Sequence, residues 1–327
     1  MFEREKCDLC GECLQKCQNQ SLGLDQARSE FKKLYQGEFS PVLDNCITCF
    51  GCEENCLRNA HPFELILEQM EKWKKKPSSQ ETILQTESRY VSDQPYLAPP
   101  ISGAVISGCV FPKTHPHLFQ GPAFENTTIL KGRMIFCYLL FLHMGDEKVL
   151  ARRAPQVICN LARTGAEEII FFHDDCFALV HNLAPRMGIK VPFRARHIVE
   201  YLRDWLQAHR DQIHPLGIKI AYQRPCASRY SPDKESAVDE IFEMIGAERL
   251  ERKYDRKDAL CCGGALMARG KPPAELQERN LRDALESGMR ELVCLCPICI
   301  DMLKPRAQAL NLKLTHIIEL TNRSLPG

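Results

Sequence analysis

Two spacings of apolar residues organise this chain. Helical spacing comes first: Phe63, Ile66, Leu67 and Met70 recur on one face behind Pro62, which predicts a helix closing an amino-terminal segment. A second helix is expected over "LDQARSEFKKLYQ", residues 24–36. From residue 101 onward the period changes. Short apolar runs in "AVISGCVFP", "EEIIFFH", "IKIAYQRPCAS" and "RELVCLC" read as strands, and helix-like "RRAPQVICNLARTG" and "AELQERNLRDALESG" separate them. Such alternation implies βα units, largely parallel sheets, and ligands at the carboxyl ends of strands. The polar, Ser- and Gln-rich, Pro-terminated stretch 74–100 reads as a linker. The expected fold class is therefore α/β: a small helical domain over 1–73, a linker over 74–100, and two duplicated α/β units over 101–215 and 216–327.

The longest apolar run, "MIFCYLLFLHM" from Met134 to Met144, is far short of the ~20 residues a spanning helix needs and reads as a buried strand running on. No direct membrane span is expected. The opening "MFEREKCD" carries charge where a signal peptide needs an apolar core, so a cytoplasmic location is expected, compatible with a peripheral place on a membrane complex. A net charge of +1 provides no basic field for nucleic acid. No glycine-rich phosphate loop follows a strand, so neither flavin nor nicotinamide is expected on this chain.

Cysteine changes the picture. Eighteen cysteines in a reducing compartment argue for metal over disulfides. "CDLCGECLQKC" (Cys7–Cys17) and "CITCFGCEENC" (Cys46–Cys56) share the spacing C-x2-C-x2-C-x3-C. Three cysteines at every third residue supply three irons of a cubane, and in the bacterial ferredoxin arrangement the fourth cysteine of each run serves the other cluster. Two 4Fe-4S cubanes are expected, one on Cys7, Cys10, Cys13 and Cys56, the other on Cys46, Cys49, Cys52 and Cys17. Zinc, which usually takes two close pairs, is the alternative. Gly11 and Gly51 let backbone amides approach cluster sulfurs. His61 reads as a helix-start residue.

The carboxy-terminal units share a grammar: a strand ending in a cysteine (Cys109; Cys226), a central cysteine element, then a ligand pair spaced as in C-x2-C. In the second copy the centre is Cys261-Cys262-Gly263-Gly264 and the pair is Cys296 and Cys299. This order resembles the CCG motif of the heterodisulfide reductase family, carried there by its B-type polypeptide, and the amino-terminal segment resembles the family's dicluster ferredoxin-like C-type polypeptide. Together they resemble the natural fusion of the two, the D type. The resemblance implies that Cys226, Cys261, Cys262, Cys296 and Cys299 hold a further 4Fe-4S cluster, non-cubane, at which a disulfide is cleaved. An ordinary cluster or a zinc site using part of the set is the alternative. Adjacent thiolates suit neighbouring irons, and Gly263 and Gly264 leave room for backbone donors or a substrate sulfur.

The first copy departs from this pattern. Cys137 is followed by Tyr138, and His173 stands where the first cysteine of the pair would be, which leaves Cys109, Cys137, His173 and Cys176 either as a degenerate half kept for packing or as an altered metal site. Cys159 and Cys294 read as core thiols. His115, His117 and His143 are weak proton-donor candidates, and Arg224, Arg229 and Arg269 read mainly as solvated. Two functions follow. Either the chain is the part of a multi-subunit complex that reduces a disulfide or related sulfur substrate, or it relays electrons between a flavin dehydrogenase and a quinone or membrane partner. In both, a flavoprotein or other electron donor is required as a partner.

Overall fold

The computed structural model describes residues 2–92 and 94–326. Its first part is helical. Helix α1 (Leu24–Gln36) buries Ala27, Phe31 and Leu34, and α2 (Pro62–Lys72) buries Phe63, Leu65, Ile66, Leu67 and Met70. Burial of each large side chain contributes about 1.5–3 kcal/mol, so truncating Phe63, with its ring 4.9 Å from Phe50, removes a main tie of this part. The start of α2 is built from outside the helix: His61 is its N-cap, and the buried Glu53 accepts from the Phe63 amide at 2.9 Å. The stretch expected as a linker contains α3 (Gln80–Ser88), capped by Ser79 and seated through the buried Ile83.

The remainder is α/β, with two four-stranded, all-parallel sheets. The first comprises β1 (Val105–Cys109), β2 (Thr128–Lys131), β3 (Glu168–Phe171) and β4 (Arg194–His197) in the order β2-β1-β3-β4. The second comprises β5 (Ile218–Gln223), β6 (Ala247–Arg249), β7 (Glu291–Cys294) and β8 (Lys313–His316) in the order β6-β5-β7-β8. The same order twice shows the duplication. Helix α4 (Glu147–Ala162) precedes β3, capped by Asp146, whose side chain accepts from the Val149 amide. After β3 comes α5 (Asp174–Ala178); before and after β7 come α6 (Ala274–Glu286) and α7 (Pro297–Ala309). One apolar core joins the two sheets, with Ile106, Phe172, Ile198, Tyr222, Val238 and Val293 among its members.

Three expectations are corrected. Met134–Met144 is not a strand: a 3-10 turn at Arg133–Ile135 leads to a short helix at Leu140–His143, with Tyr138 left-handed (φ 57°) between them. The run is apolar because the helical part covers it, not because it joins a sheet, and Tyr90 stacks on Phe136 at 3.6 Å. Strand β5 stops at Gln223, so Cys226 lies beyond the strand on a 3-10 turn. Cys159 lies in α4 but faces solvent, whereas Cys294 is fully buried. No helix among the described residues is long and apolar enough to cross a membrane.

Candidate functional site

The two amino-terminal cysteine loops share a backbone conformation. Leu9 (φ 58°) and Thr48 (φ 54°) are left-handed before the second cysteine, and Gly11 (φ 76°) and Phe50 (φ 61°) are left-handed after it. Gly11 is further required because a Cβ there would stand 2.7 Å from the Arg28 backbone nitrogen. These turns direct amides at sulfur. The Thr48 N–H reaches Cys46 Sγ at 3.4 Å and the Ala60 N–H reaches Cys56 Sγ at 3.3 Å.

Folding groups the cysteines across the two loops. Cys56 stands with Cys7, Cys10 and Cys13 around one recess closed by Phe2 and Phe31. Cys17 stands near Cys46 and Cys49, with Cys52 beside them. Burial pushes the Cys46 thiol up to about 12 and Cys49 up to about 11. Such thiols keep their protons unless a cation takes the proton's place, which is what iron does to a coordinating thiol. The donor set therefore fits clusters: all sulfur, partly amide-bonded, with Cys13 and Cys52 buried and the others partly exposed.

In the second α/β unit five thiols form an unbroken row. Cys226 is within hydrogen-bonding reach of Cys261, Cys261 of Cys262, Cys262 of Cys299, and Cys299 of Cys296. Different elements deliver them: the turn after β5, the segment entering the helix Gly264–Ala268, and the first turn of α7. Gly263 adopts φ +95°, and its N–H points at Cys261 Sγ at 3.4 Å. Hydrogen bonds from Cys226 and Cys262 outweigh burial and hold the Cys261 thiol well below its usual range. A bond from Cys299, with His173 adding its charge, overcomes burial and brings Cys296 down to about 6.

His173, from the first copy, meets this row. Its Nε2 lies 3.0 Å from Cys296 Sγ, across 123 residues of sequence. The expectation groups His173 with Cys109, Cys137 and Cys176, either as a degenerate half or as an altered metal site, whereas the contact shown is with the second copy's row. Burial alone would depress the imidazole, but the Cys296 thiolate beside it pushes His173 up to about 10. The other three thiols touch one another, with Cys109 left-handed at φ 54°. Both sets line one cavity of about 400 Å³, along with His115, His143, Asp175, Ile298 and Asp301. No three His, Cys, Asp or Glu side chains among the described residues are arranged to hold a single metal ion.

Charged residues connect the parts. Arg224 and Arg229 are 3% and 6% exposed, against the expectation of solvated arginines. Arg224 donates twice to Glu54, at 2.9 and 2.7 Å, and lies 3.4 Å from Glu235. Arg229 donates to the carbonyls of Lys257 and Ala259 and reaches Glu54 at 3.4 Å. Glu54 lies in the one-turn helix between Cys52 and Cys56, so the second amino-terminal loop is bolted to the turn that carries Cys226. Arg269 donates to the Leu43 carbonyl from the other side. As a result Cys49 lies close enough to Cys261 and Cys226 for their charges to raise one another's pKa. Behind His173, Asp174 is fully buried on Lys234 (2.7 Å) and Ser228 (2.6 Å).

The loop histidines are otherwise engaged. His143 pairs through Nδ1 with the Thr48 carbonyl at 2.7 Å, His115 lies 3.3 Å from Asp301, and His117 lies 3.9 Å from Glu319. Only spatial structure discloses Glu54 and the His173–Cys296 contact. Their sequence neighbours, Cys52, Cys56 and Cys176, were the sole signal.

Comparison with known proteins agrees with the geometry. The family model of the CCG cysteine-rich domain matches residues 220–304, which contain all five thiols of the row. Over 193 residues the chain is 28% identical to the D-type polypeptide of the dihydromethanophenazine:CoB--CoM heterodisulfide reductase of Methanosarcina barkeri. These two likenesses support a heterodisulfide reductase-like iron-sulfur protein. The match covers 56% of this chain and 46% of the relative, so the chain spans about half the length of the curated protein it matches. A solved chain from Yersinia pestis, described as a candidate Asp/Glu racemase, aligns with 67% of this chain and 96% of its own length, at 15% identity and a TM-score of 0.33. A score that low carries no argument. The heterodisulfide reductase likeness supports an iron-sulfur redox component of an oxidoreductase complex.

Proposed function

We propose that this chain reduces a disulfide or related sulfur substrate at its carboxy-terminal cysteine row, with electrons delivered through its amino-terminal part. Cys7, Cys10, Cys13 and Cys56 would hold one 4Fe-4S cubane, Cys46, Cys49, Cys52 and Cys17 a second, and Cys226, Cys261, Cys262, Cys296 and Cys299 a third, non-cubane 4Fe-4S cluster. Bound clusters supply one-electron chemistry, and S–S cleavage takes two electrons and two protons to give two thiols. A flavoprotein or other donor protein of the complex provides the electrons.

The observation that carries this reading is that Cys49 packs against the same core as Cys226 and Cys261, and that the latter two line a cavity of about 400 Å³. The Arg224–Glu54 pair ties the loop that carries Cys49 to the turn that carries Cys226, which supports electron passage between them. The cavity is largely apolar, lined by Phe111, Phe136, Leu140 and Ile298, which excludes water from a developing thiolate. Around it the Gly263 N–H and His173 Nε2 point at sulfur.

The test is a single turnover: the anaerobically purified full chain is reduced, freed of reductant and mixed with small disulfides. Thiol product in proportion to reduced clusters is expected. Intact, reducible clusters that yield no thiol would leave the chain an electron relay to a quinone or membrane partner and refute the catalytic reading.

A further inference from the structure

Residues 173 and 296 hold equivalent places in the duplicated units. Each stands two positions beyond the end of a strand, β3 ending at Phe171 and β7 at Cys294, and each is the N-cap of the helix that follows. The two units therefore meet at these positions, and what faces Cys296 across the boundary is an imidazole instead of a second thiol. Its Nε2 lies 3.0 Å from Cys296 Sγ.

The other ring nitrogen decides what passes between them. Nδ1 faces the Asp175 backbone N–H at 3.4 Å and so acts as an acceptor, which leaves the ring proton on Nε2. A doubly protonated ring would carry a proton on Nε2 as well. In either form the Cys296 sulfur receives an N–H. The ring has little freedom to turn away: it is 5% exposed and lies 4.7 Å from the Phe111 ring.

We propose that His173, supplied by the first unit, is a positioning residue for the second: its Nε2–H donates to the Cys296 thiolate and raises the reduction potential of the cluster which that thiolate helps to hold. This rests on the reading that the carboxy-terminal row binds an iron-sulfur cluster. Reduction adds negative charge that the ligand sulfurs share, and a fixed donor stabilises the reduced form more than the oxidised one. The first unit then serves the redox site of the second through this side chain.

The experiment is an EPR-monitored redox titration of the full chain as wild type, His173→Phe and His173→Gln. Phe fills the space beside Phe111 without a donor; Gln carries an amide N–H at a similar reach. His173→Phe is expected to disfavour reduction of the carboxy-terminal cluster about tenfold, a shift of about 59 mV to lower potential for one electron, with the amino-terminal clusters unmoved. His173→Gln is expected to recover most of that shift. An unchanged midpoint in His173→Phe, or equal shifts in both variants, overturns the proposal. If His173→Phe loses iron, the Gln variant decides alone: a midpoint near wild type supports donation, and a tenfold displacement refutes it. A wild-type chain lacking any carboxy-terminal cluster signal refutes the underlying reading, a result distinct from a cluster that is present and indifferent to residue 173.

Discussion

Arg224→Met tests how the cysteine loops are joined to the α/β units. The guanidinium makes two bonds to Glu54 at 2.9 and 2.7 Å, lies 3.4 Å from Glu235, and is almost wholly buried. Methionine fills much of the space but leaves the carboxylates without their main partner. Removing one member of a buried ion pair costs about 3–5 kcal/mol. Glu54 keeps Arg229 at 3.4 Å and Glu235 keeps Lys234 at 3.2 Å, which places the expected loss near the lower end, about 3 kcal/mol. The control is Arg194→Met. Arg194 bonds Glu168 at 2.7 Å but its side chain is 76% exposed, so about 0–1 kcal/mol is expected. At about 2–4 °C per kcal/mol, anaerobic scanning calorimetry should show Tm falling by about 6–12 °C for Arg224→Met and by at most about 4 °C for the control. Adding Glu54→Gln to Arg224→Met should restore part of the loss, because it removes a carboxylate left with only the longer Arg229 contact. Equal effects of the two arginine substitutions, or additivity in the double variant, would refute the view that this pair holds the parts together.

Other substitutions separate the roles of neighbouring residues. Gly263→Ala would place a Cβ 2.5 Å from Pro273 Cβ at φ +95°, so about 2 kcal/mol or more should be lost, with the carboxy-terminal iron. Gly264→Ala meets only Cys262 Sγ at 3.7 Å and Met302 Cγ at 3.9 Å and should keep wild-type iron content; equal iron loss in both would contradict this. His316, an N-cap whose Nε2 faces the Leu295 carbonyl at 2.7 Å, is pulled down to about 3 by burial. Its unfolded value is about 6.5, so its contribution is whole above that pH and declines by about 1.4 kcal/mol per unit as pH falls from there toward 3. His316→Asn, which retains a capping side chain, should flatten the stability profile between about pH 6 and 4; parallel profiles would exclude His316 as the cause.

Local signals were legible and long-range ones were not. Period, caps and β-branched runs located α1, α2, α4, α6, β3 and β7, because each element follows from residues within a few positions of one another. The Met134–Met144 run was misread because a segment buried on all sides has no polar face to reveal its period. The repeated cysteine spacing proposed which thiols belong together, and the fold brings those same residues close. His173 could not be placed from spacing, since alignment with Cys296 suggests a ligand of its own unit while the fold turns it to the other. Arg224 and Arg229 read as surface charge, and their burial is explained by the half-buried Glu54 they share, together with Glu235 and the Lys257 and Ala259 carbonyls.

The most direct measurement is the iron, sulfide and zinc content of anaerobically purified protein, with EPR of the oxidised and reduced forms and of Cys261→Ser. About 12 irons per chain, from two cubanes and one further four-iron cluster, are expected, with an oxidised-state signal that disappears in Cys261→Ser. About 8 irons with one or two zincs, and spectra unaffected by Cys261→Ser, would contradict a third cluster and leave the carboxy-terminal part a docking scaffold.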